Sequence, residues 1–180
     1  MRLHNPILLF VIFNLLLFQS FGQGKEDFSK KLFDIKMKYQ KINQYKSYKV
    51  ITIDDAEEFT GHALDNGGSL TGYFRSDTLV KIVEWLGLSN KVIQREYYLD
   101  SGKLFFVYFK ESFYKYNDST GSFDYSKLEL KNTGRYYFQK EKLFDTILSD
   151  KEKKLTKEKD AKEFVENIKK YVALLKKRFK

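Results

Sequence analysis

The residues most able to do chemistry in this chain are carboxylates. Asp54-Asp55-Ala56-Glu57-Glu58 places four acids in five positions, a density that attracts hard cations. The run lacks the alternating oxygen ligands and central glycine of a calcium loop, so it reads as a solvated loop or a helix N-terminus. Beyond the first 22 residues His62 is the one histidine, and there is no cysteine. Zinc at a typical site would therefore need three carboxylate partners. No metal site and no cofactor are expected. The same lack of cysteine removes disulfides and thiolate catalysis.

Other catalytic patterns fail in the same way. Asp118-Ser119-Thr120-Gly121 shares the order of an aspartic-protease turn, but it occurs once, among turn-forming residues, and reads as a turn. Ser69, Ser89 and Ser101 have no identifiable base. Gly67-Gly68-Ser69 opens a strand and not a helix, which removes the phosphate-loop reading. A hydrolase would have to use carboxylates such as Glu84 or Glu96. Paired acids work about 5–10 Å apart in a cleft, which an open sheet does not offer. No catalytic residue is assigned, and the chemistry points away from an enzyme.

The elements that carry these residues are mostly strands. "REYYLDSGKLFFVYFK", residues 95–110, alternates large apolar and polar side chains around Ser101-Gly102, the pattern of a hairpin. The phrase recurs: Tyr73-Phe74 precedes Leu79-Val80, and Tyr137-Phe138 precedes Leu143-Phe144 at the same spacing as Tyr98-Leu99 and Leu104-Phe105. Three hairpins follow, Leu70–Arg75 with Leu79–Leu86, Val92–Asp100 with Lys103–Lys110, and Arg135–Gln139 with Leu143–Leu148. The polar stretch Tyr116 to Thr133 separates the second from the third. Counting outward from two-residue turns predicts one core face of Tyr73, Val80, Ile82, Tyr98, Phe105, Val107, Phe109, Tyr137 and Phe144. It predicts an opposite face of mixed aromatics and charge, from which Lys81, Trp85, Arg95, Tyr97, Tyr108 and Tyr136 are the candidate ligand-binding residues.

Amphipathic segments flank the sheet. Phe28, Leu32, Ile35, Tyr39 and Ile42 recur at helical spacing near the start, and Phe164, Ile168, Tyr171, Leu175 and Phe179 near the end. Strand-forming residues from Ser47 to Ile53 add a first strand. The expected fold class is α+β: an antiparallel β-meander of about seven strands flanked by an N-terminal and a C-terminal amphipathic helix. Residues 1–22 read as a signal peptide, with Met1-Arg2, an apolar run from Ile7 to Phe18 broken by Asn14, and Ser20 and Gly22 at the cleavage site. Residues 23–180 read as one domain, helix over 23–46, sheet over 47–150 and a basic helix over 151–180. Charge is uneven. Residues 23–45 hold six lysines against three acids, 46–150 fourteen basic against sixteen acidic groups, and 151–180 twelve against five.

The run "GGSLTGYF" to "LVKIVEW" to "REYYLDSGKLFFVY", continued by "GRYYFQKEKLF", resembles a group of small exported, functionally uncharacterised proteins of Bacteroidota. The resemblance implies export and brings no activity and no site residue. Taken together, these readings point to a periplasmic or extracellular protein that binds a protein, glycan or small ligand through its aromatic sheet face. Carboxylate hydrolysis, or attachment to membrane by the basic C-terminal helix, is the alternative. Export makes nucleic acid an unexpected partner; peripheral membrane contact by the last helix stays open. Intact mass of the exported protein tests the leader. Cleavage after Gly22 leaves Gln23 first, and a species retaining Ile7–Phe18 would show a signal anchor instead.

Overall fold

The computed structural model describes residues 27–149 and 157–179. The expected signal peptide and residues 151–156 of the basic segment lie outside the described residues. Residues 27–44 are helical (α1). They are followed by β1 Lys49–Ile53, the short helix α2 Ala56–Thr60, then β2 Gly68–Arg75, β3 Thr78–Gly87, β4 Lys91–Asp100, β5 Lys103–Asn117, β6 Ser122–Gln139 and β7 Lys142–Leu148, and by α3 Lys157–Phe179. All seven strands form one antiparallel sheet in sequence order, the expected meander. The described residues divide between Lys38 and Tyr39 into two compact units. The second holds the sheet, α3 and the last turns of α1.

The three expected turns are present, at 76–77, 101–102 and 140–141. Ser101-Gly102 and Lys140-Glu141 both take positive φ at each position, as a type I′ turn requires. After the second pair beyond each turn the register slips. Phe74 pairs with Leu79 but Tyr73 pairs with Lys81. Leu99 pairs with Leu104 but Tyr98 with Phe106. Phe138 pairs with Leu143 but Tyr137 with Asp145. Val80, Phe105 and Phe144 are thus left as equivalent β-bulges, and each bulge reverses the face of every later residue in its strand. Phe105 and Phe106 accordingly both meet the Tyr98 ring, at centroid distances of 6.3 and 5.6 Å.

Both predicted faces need correction for this reason. Of the expected core face, Ile82, Val107 and Phe109 lie on one side of the sheet, while Tyr73, Val80, Tyr98, Phe105, Tyr137 and Phe144 belong to the other. The stretch Tyr116 to Thr133 is also more ordered than a gap. Most of it extends β5 and β6 into a long two-stranded ribbon closed by a turn at 118–121.

The main core lies between the sheet and α3. Ala161, Phe164, Ile168, Tyr171 and Leu175 are buried at alternating steps of three and four, one face of the helix. Fully burying side chains of this kind is worth roughly 1.5–3 kcal/mol each. They rest on Leu70, Phe74, Ile82, Tyr97, Val107, Tyr136 and Phe138. Gly72 lets the helix come this close, because a Cβ there would lie 2.9 Å from Leu175 Cδ1. The acidic run is a helix cap: Asp55 accepts a hydrogen bond from Glu57 N at 3.0 Å, Gly61 closes the other end at positive φ, and Glu58 pairs with Arg178 of α3.

The bulges predict an asymmetry between deletion and truncation. Replacing Phe105 by alanine should cost roughly 2–5 kcal/mol, as for a large-to-small core change, and leave the fold intact. Deleting Phe105 removes the extra residue and turns Val107, Phe109 and Glu111 away from α3. The deletion variant should be unfolded by circular dichroism. Equal midpoints for the two variants in urea would show that the bulge does not set the faces.

Candidate functional site

Register places the residues of each face in rows across the sheet. On the α3 side one row runs Leu70, Glu84, Arg95, Phe109, Gly134, and the next runs Gly72, Ile82, Tyr97, Val107, Tyr136. On the outer side the rows are Tyr73, Lys81, Tyr98, Phe106, Tyr137, then Thr71, Val83, Glu96, Tyr108, Arg135, then Ser69, Trp85, Gln94, Lys110, Thr133. The six candidate binding residues therefore fall into two groups. Arg95, Tyr97 and Tyr136 sit beneath α3. Lys81, Trp85 and Tyr108 lie on the outer face.

The buried group is a polar cluster centred on Glu84, whose relative exposure is 1%. Its carboxylate accepts hydrogen bonds from Arg95 Nη1 at 3.0 Å, Tyr97 Oη at 2.9 Å and, from α3, Tyr171 Oη at 2.6 Å. Burial raises the Tyr97 and Tyr171 hydroxyls well above the usual phenol range, and the Glu84 charge adds to it. Burial works to lower the Arg95 guanidinium, but Glu84 outweighs it and holds the group above its ordinary value. Both tyrosines therefore stay protonated donors. Nearby, Tyr136 donates to Asp160 at 2.9 Å, with its hydroxyl raised by burial and by that carboxylate.

Beside this cluster a cavity of about 170 Å³ opens among Ile93, Arg95, Phe109, Phe164, Glu111, Asp160 and Glu163. Its acids have partners. Glu111 accepts from Lys91 at 2.9 Å and Asn132 at 2.8 Å, Asp160 from Tyr136, and Glu163 faces Arg95 at 3.4 Å. Among the described residues no group of three or more His, Asp or Glu side chains is arranged to hold a metal ion. Glu84 and Glu96 cannot act as one catalytic pair, because they lie on opposite faces of the sheet.

The outer face has its own carboxylate. Glu96 accepts from Lys81 at 2.8 Å, Tyr98 at 2.7 Å, Lys110 at 3.2 Å and Gln94 at 3.2 Å. Burial works against its charge, but the hydrogen bonds from Lys81 and Tyr98 and the charges of Lys81 and Lys110 outweigh it, so the carboxyl lies below its usual range. Toward the turns this face is covered. Tyr39 packs on Tyr98 and Phe106 at 4.9 and 5.4 Å, Tyr48 on Tyr73 at 5.8 Å, and Asn43 accepts from Lys81 with its Oδ1 3.2 Å from the Tyr98 hydroxyl. Farther along, Trp85, Gln94, Tyr108 and Lys110 remain half-buried and Arg135 is exposed. Lys110 and Arg135 both stand over the Tyr108 ring, at 5.4 and 5.7 Å.

Arg135 escapes sequence reasoning because its face depends on the bulge pattern. A usable signal exists: Leu79-Val80, Leu104-Phe105 and Leu143-Phe144 each put two large apolar residues side by side just after a turn, where strict alternation allows one. The geometry defines the chain as a seven-stranded antiparallel meander with one helix-covered face and one half-open aromatic and basic face. No family model matches the chain, and no curated protein or solved structure matches it.

The lowered Glu96 carboxyl fixes a pH dependence. In the folded state it gives up its proton more readily than in the unfolded chain, so the unfolded state binds more protons in that window. Its contribution is present above the unfolded carboxyl range and is lost as pH falls through the folded value. Melting temperature should fall as pH drops below the ordinary carboxyl range, and Glu96→Gln should flatten that slope. An unchanged slope in the variant would place the acid sensitivity elsewhere.

Proposed function

We propose that the chain is an exported, non-enzymatic binding module that engages a partner on the outer sheet face through Trp85 and Tyr108, with Lys110 and Arg135 at their side. The observation that carries this reading is two half-buried aromatics in neighbouring rows, separated by β4, with two cations over the Tyr108 ring, on the part of the face that residues 39–48 leave uncovered. Aromatics and arginine are the side chains that most often anchor recognition surfaces. The surface is a sheet face and not a pocket, which suits an extended partner such as an envelope protein or glycan carrying acidic groups. Lys81 contributes by holding Glu96, whereas Arg95, Tyr97 and Tyr136 serve the fold.

Two other readings have less support. A carboxylate hydrolase would have to work in the small cavity at Glu111, Asp160 and Glu163, where each acid already has a polar partner. Membrane attachment by α3 would rely on its outward lysines alone, because its apolar stripe packs on the sheet. Among the described residues no helix is long and apolar enough to cross a membrane.

Trp85 is the sole tryptophan, so its emission reports directly on this face. Titration with fractionated envelope proteins and polysaccharides should shift Trp85 fluorescence with saturation. Tyr108→Ala should abolish the shift while melting like the parent, and Tyr97→Ala should lose stability. A fraction that binds the protein without changing Trp85 emission, or equally in the Tyr108 variant, would move the site off this face.

A further inference from the structure

The β5–β6 ribbon runs past the end of β7. β7 pairs with β6 only from Gly134 to Gln139, and Ser149 ends that pairing by donating to Thr133 O at 2.9 Å while its hydroxyl accepts from Thr133 N at 2.7 Å. From Ser122 to Asn132 the outer side of β6 has no strand partner among the described residues. Such an edge is a template for another strand. It also exposes large apolar groups: Leu128 and Leu130 are 47% and 56% exposed, both on the Trp85 side of the sheet, with Tyr116 and Tyr125 half-exposed nearby.

We propose that this edge is the contact of a two-fold homodimer in which Leu128–Leu130 of one copy pairs antiparallel with the same segment of a second copy, centred on Glu129 and flanked by Lys127 and Lys131. The segment Lys127-Leu128-Glu129-Leu130-Lys131 reads identically in both directions. Antiparallel pairing about its centre therefore sets Leu128 of each copy opposite Leu130 of the other, joining four leucines on one face. On the opposite face the two Glu129 carboxylates meet at the axis, and each has lysines of the other copy at its diagonals, within reach of long side chains. The ribbon from 112 to 131 carries Lys115, Lys127 and Lys131 against Asp118, Asp124 and Glu129, so it is neutral in a chain of net charge +9. Two copies meet there with least repulsion, and an anionic lipid surface finds no excess charge to hold. Irregular pairing at 125–127 and at Lys131 bounds the regular edge on both sides. The contact is isologous and closes at two copies instead of growing into a polymer.

The absence of cysteine makes the axis directly testable. Opposite Cβ atoms in an antiparallel pair lie close enough for a disulfide, so oxidised Glu129→Cys should form a covalent dimer, whereas Thr120→Cys at the ribbon tip should not. Sedimentation of the purified protein should show a reversible monomer–dimer equilibrium, and Leu130→Lys should weaken it about tenfold or more without altering the melt. Wild-type protein that stays monomeric at roughly 100 μM would overturn the proposal. Equal cross-linking of the two cysteine variants, or monomeric binding to neutral vesicles lost in Leu130→Lys, would overturn it as well.

Discussion

The structure depends on a one-residue slip repeated after each of three turns. A strand has a side-chain period of two, so an extra residue exchanges the faces of everything beyond it. Without Phe105, Val107 and Phe109 would leave the α3 side and Tyr108 would enter it. Because Val80, Phe105 and Phe144 occupy equivalent places, the slip is made in phase in β3, β5 and β7. One continuous apolar surface then spans the sheet beneath a single helix. The repeat seen in the sequence is therefore a repeat of the bulge as much as of the hairpin.

That surface still contains Glu84, a fully buried charge. Taking a carboxylate out of water is costly unless its oxygens are paired, and here Arg95, Tyr97 and Tyr171 supply three donors. The donors come from two layers, since Arg95 and Tyr97 lie on β4 whereas Tyr171 descends from α3. Apolar contacts alone would tolerate a helix displaced by one turn, because residues at i, i+3 and i+4 share a face. A displaced helix would carry Tyr171 away from Glu84, so the hydroxyl fixes the seating of α3 where packing leaves it free. Arg95 Nε, the buried side-chain polar atom without a partner among the described residues, lies at the margin of this cluster beside the cavity.

Much of the architecture is legible in the sequence, while the faces are not. Helical spacing from Phe164 to Phe179 and the turn pairs Ser101-Gly102 and Lys140-Glu141 give α3 and two hairpin tips with little ambiguity. The acidic run beginning at Asp54 resolves as a cap because the dipole argument applies to it directly. Assignment of Trp85 and Tyr97 to one surface fails, since it assumes uninterrupted alternation through a turn. The candidates upstream of a turn, Arg95, Tyr97 and Tyr136, share the face beneath α3, whereas those downstream of one, Lys81, Trp85 and Tyr108, fall on the other. Composition is equally silent on burial, for Tyr97 and Tyr108 are the same residue type in opposite surroundings. Pairing partners across strands decide the matter.

Parity alone leaves one ambiguity in a sheet of this kind. A slip of two residues between neighbouring strands keeps every apolar side chain on its own face, so face matching does not forbid it. The buried glutamates do. Glu84 on β3 is paired with Arg95 on β4, Glu96 on β4 with Lys81 on β3 and Lys110 on β5, and Glu111 on β5 with Lys91 on β4. Each pair bridges adjacent strands, and the set includes both faces. A two-residue slip at β3–β4 in either direction would take Arg95 from its place opposite Glu84, and in one direction it would also draw Lys81 away from Glu96. At β4–β5 a slip one way would separate Glu96 from Lys110, and a slip the other way would separate Glu111 from Lys91. Removing one partner of a buried pair costs far more than an intact pair contributes. The three acids thus act chiefly against wrong registers, which explains why the most apolar strands of the sheet contain charge at all.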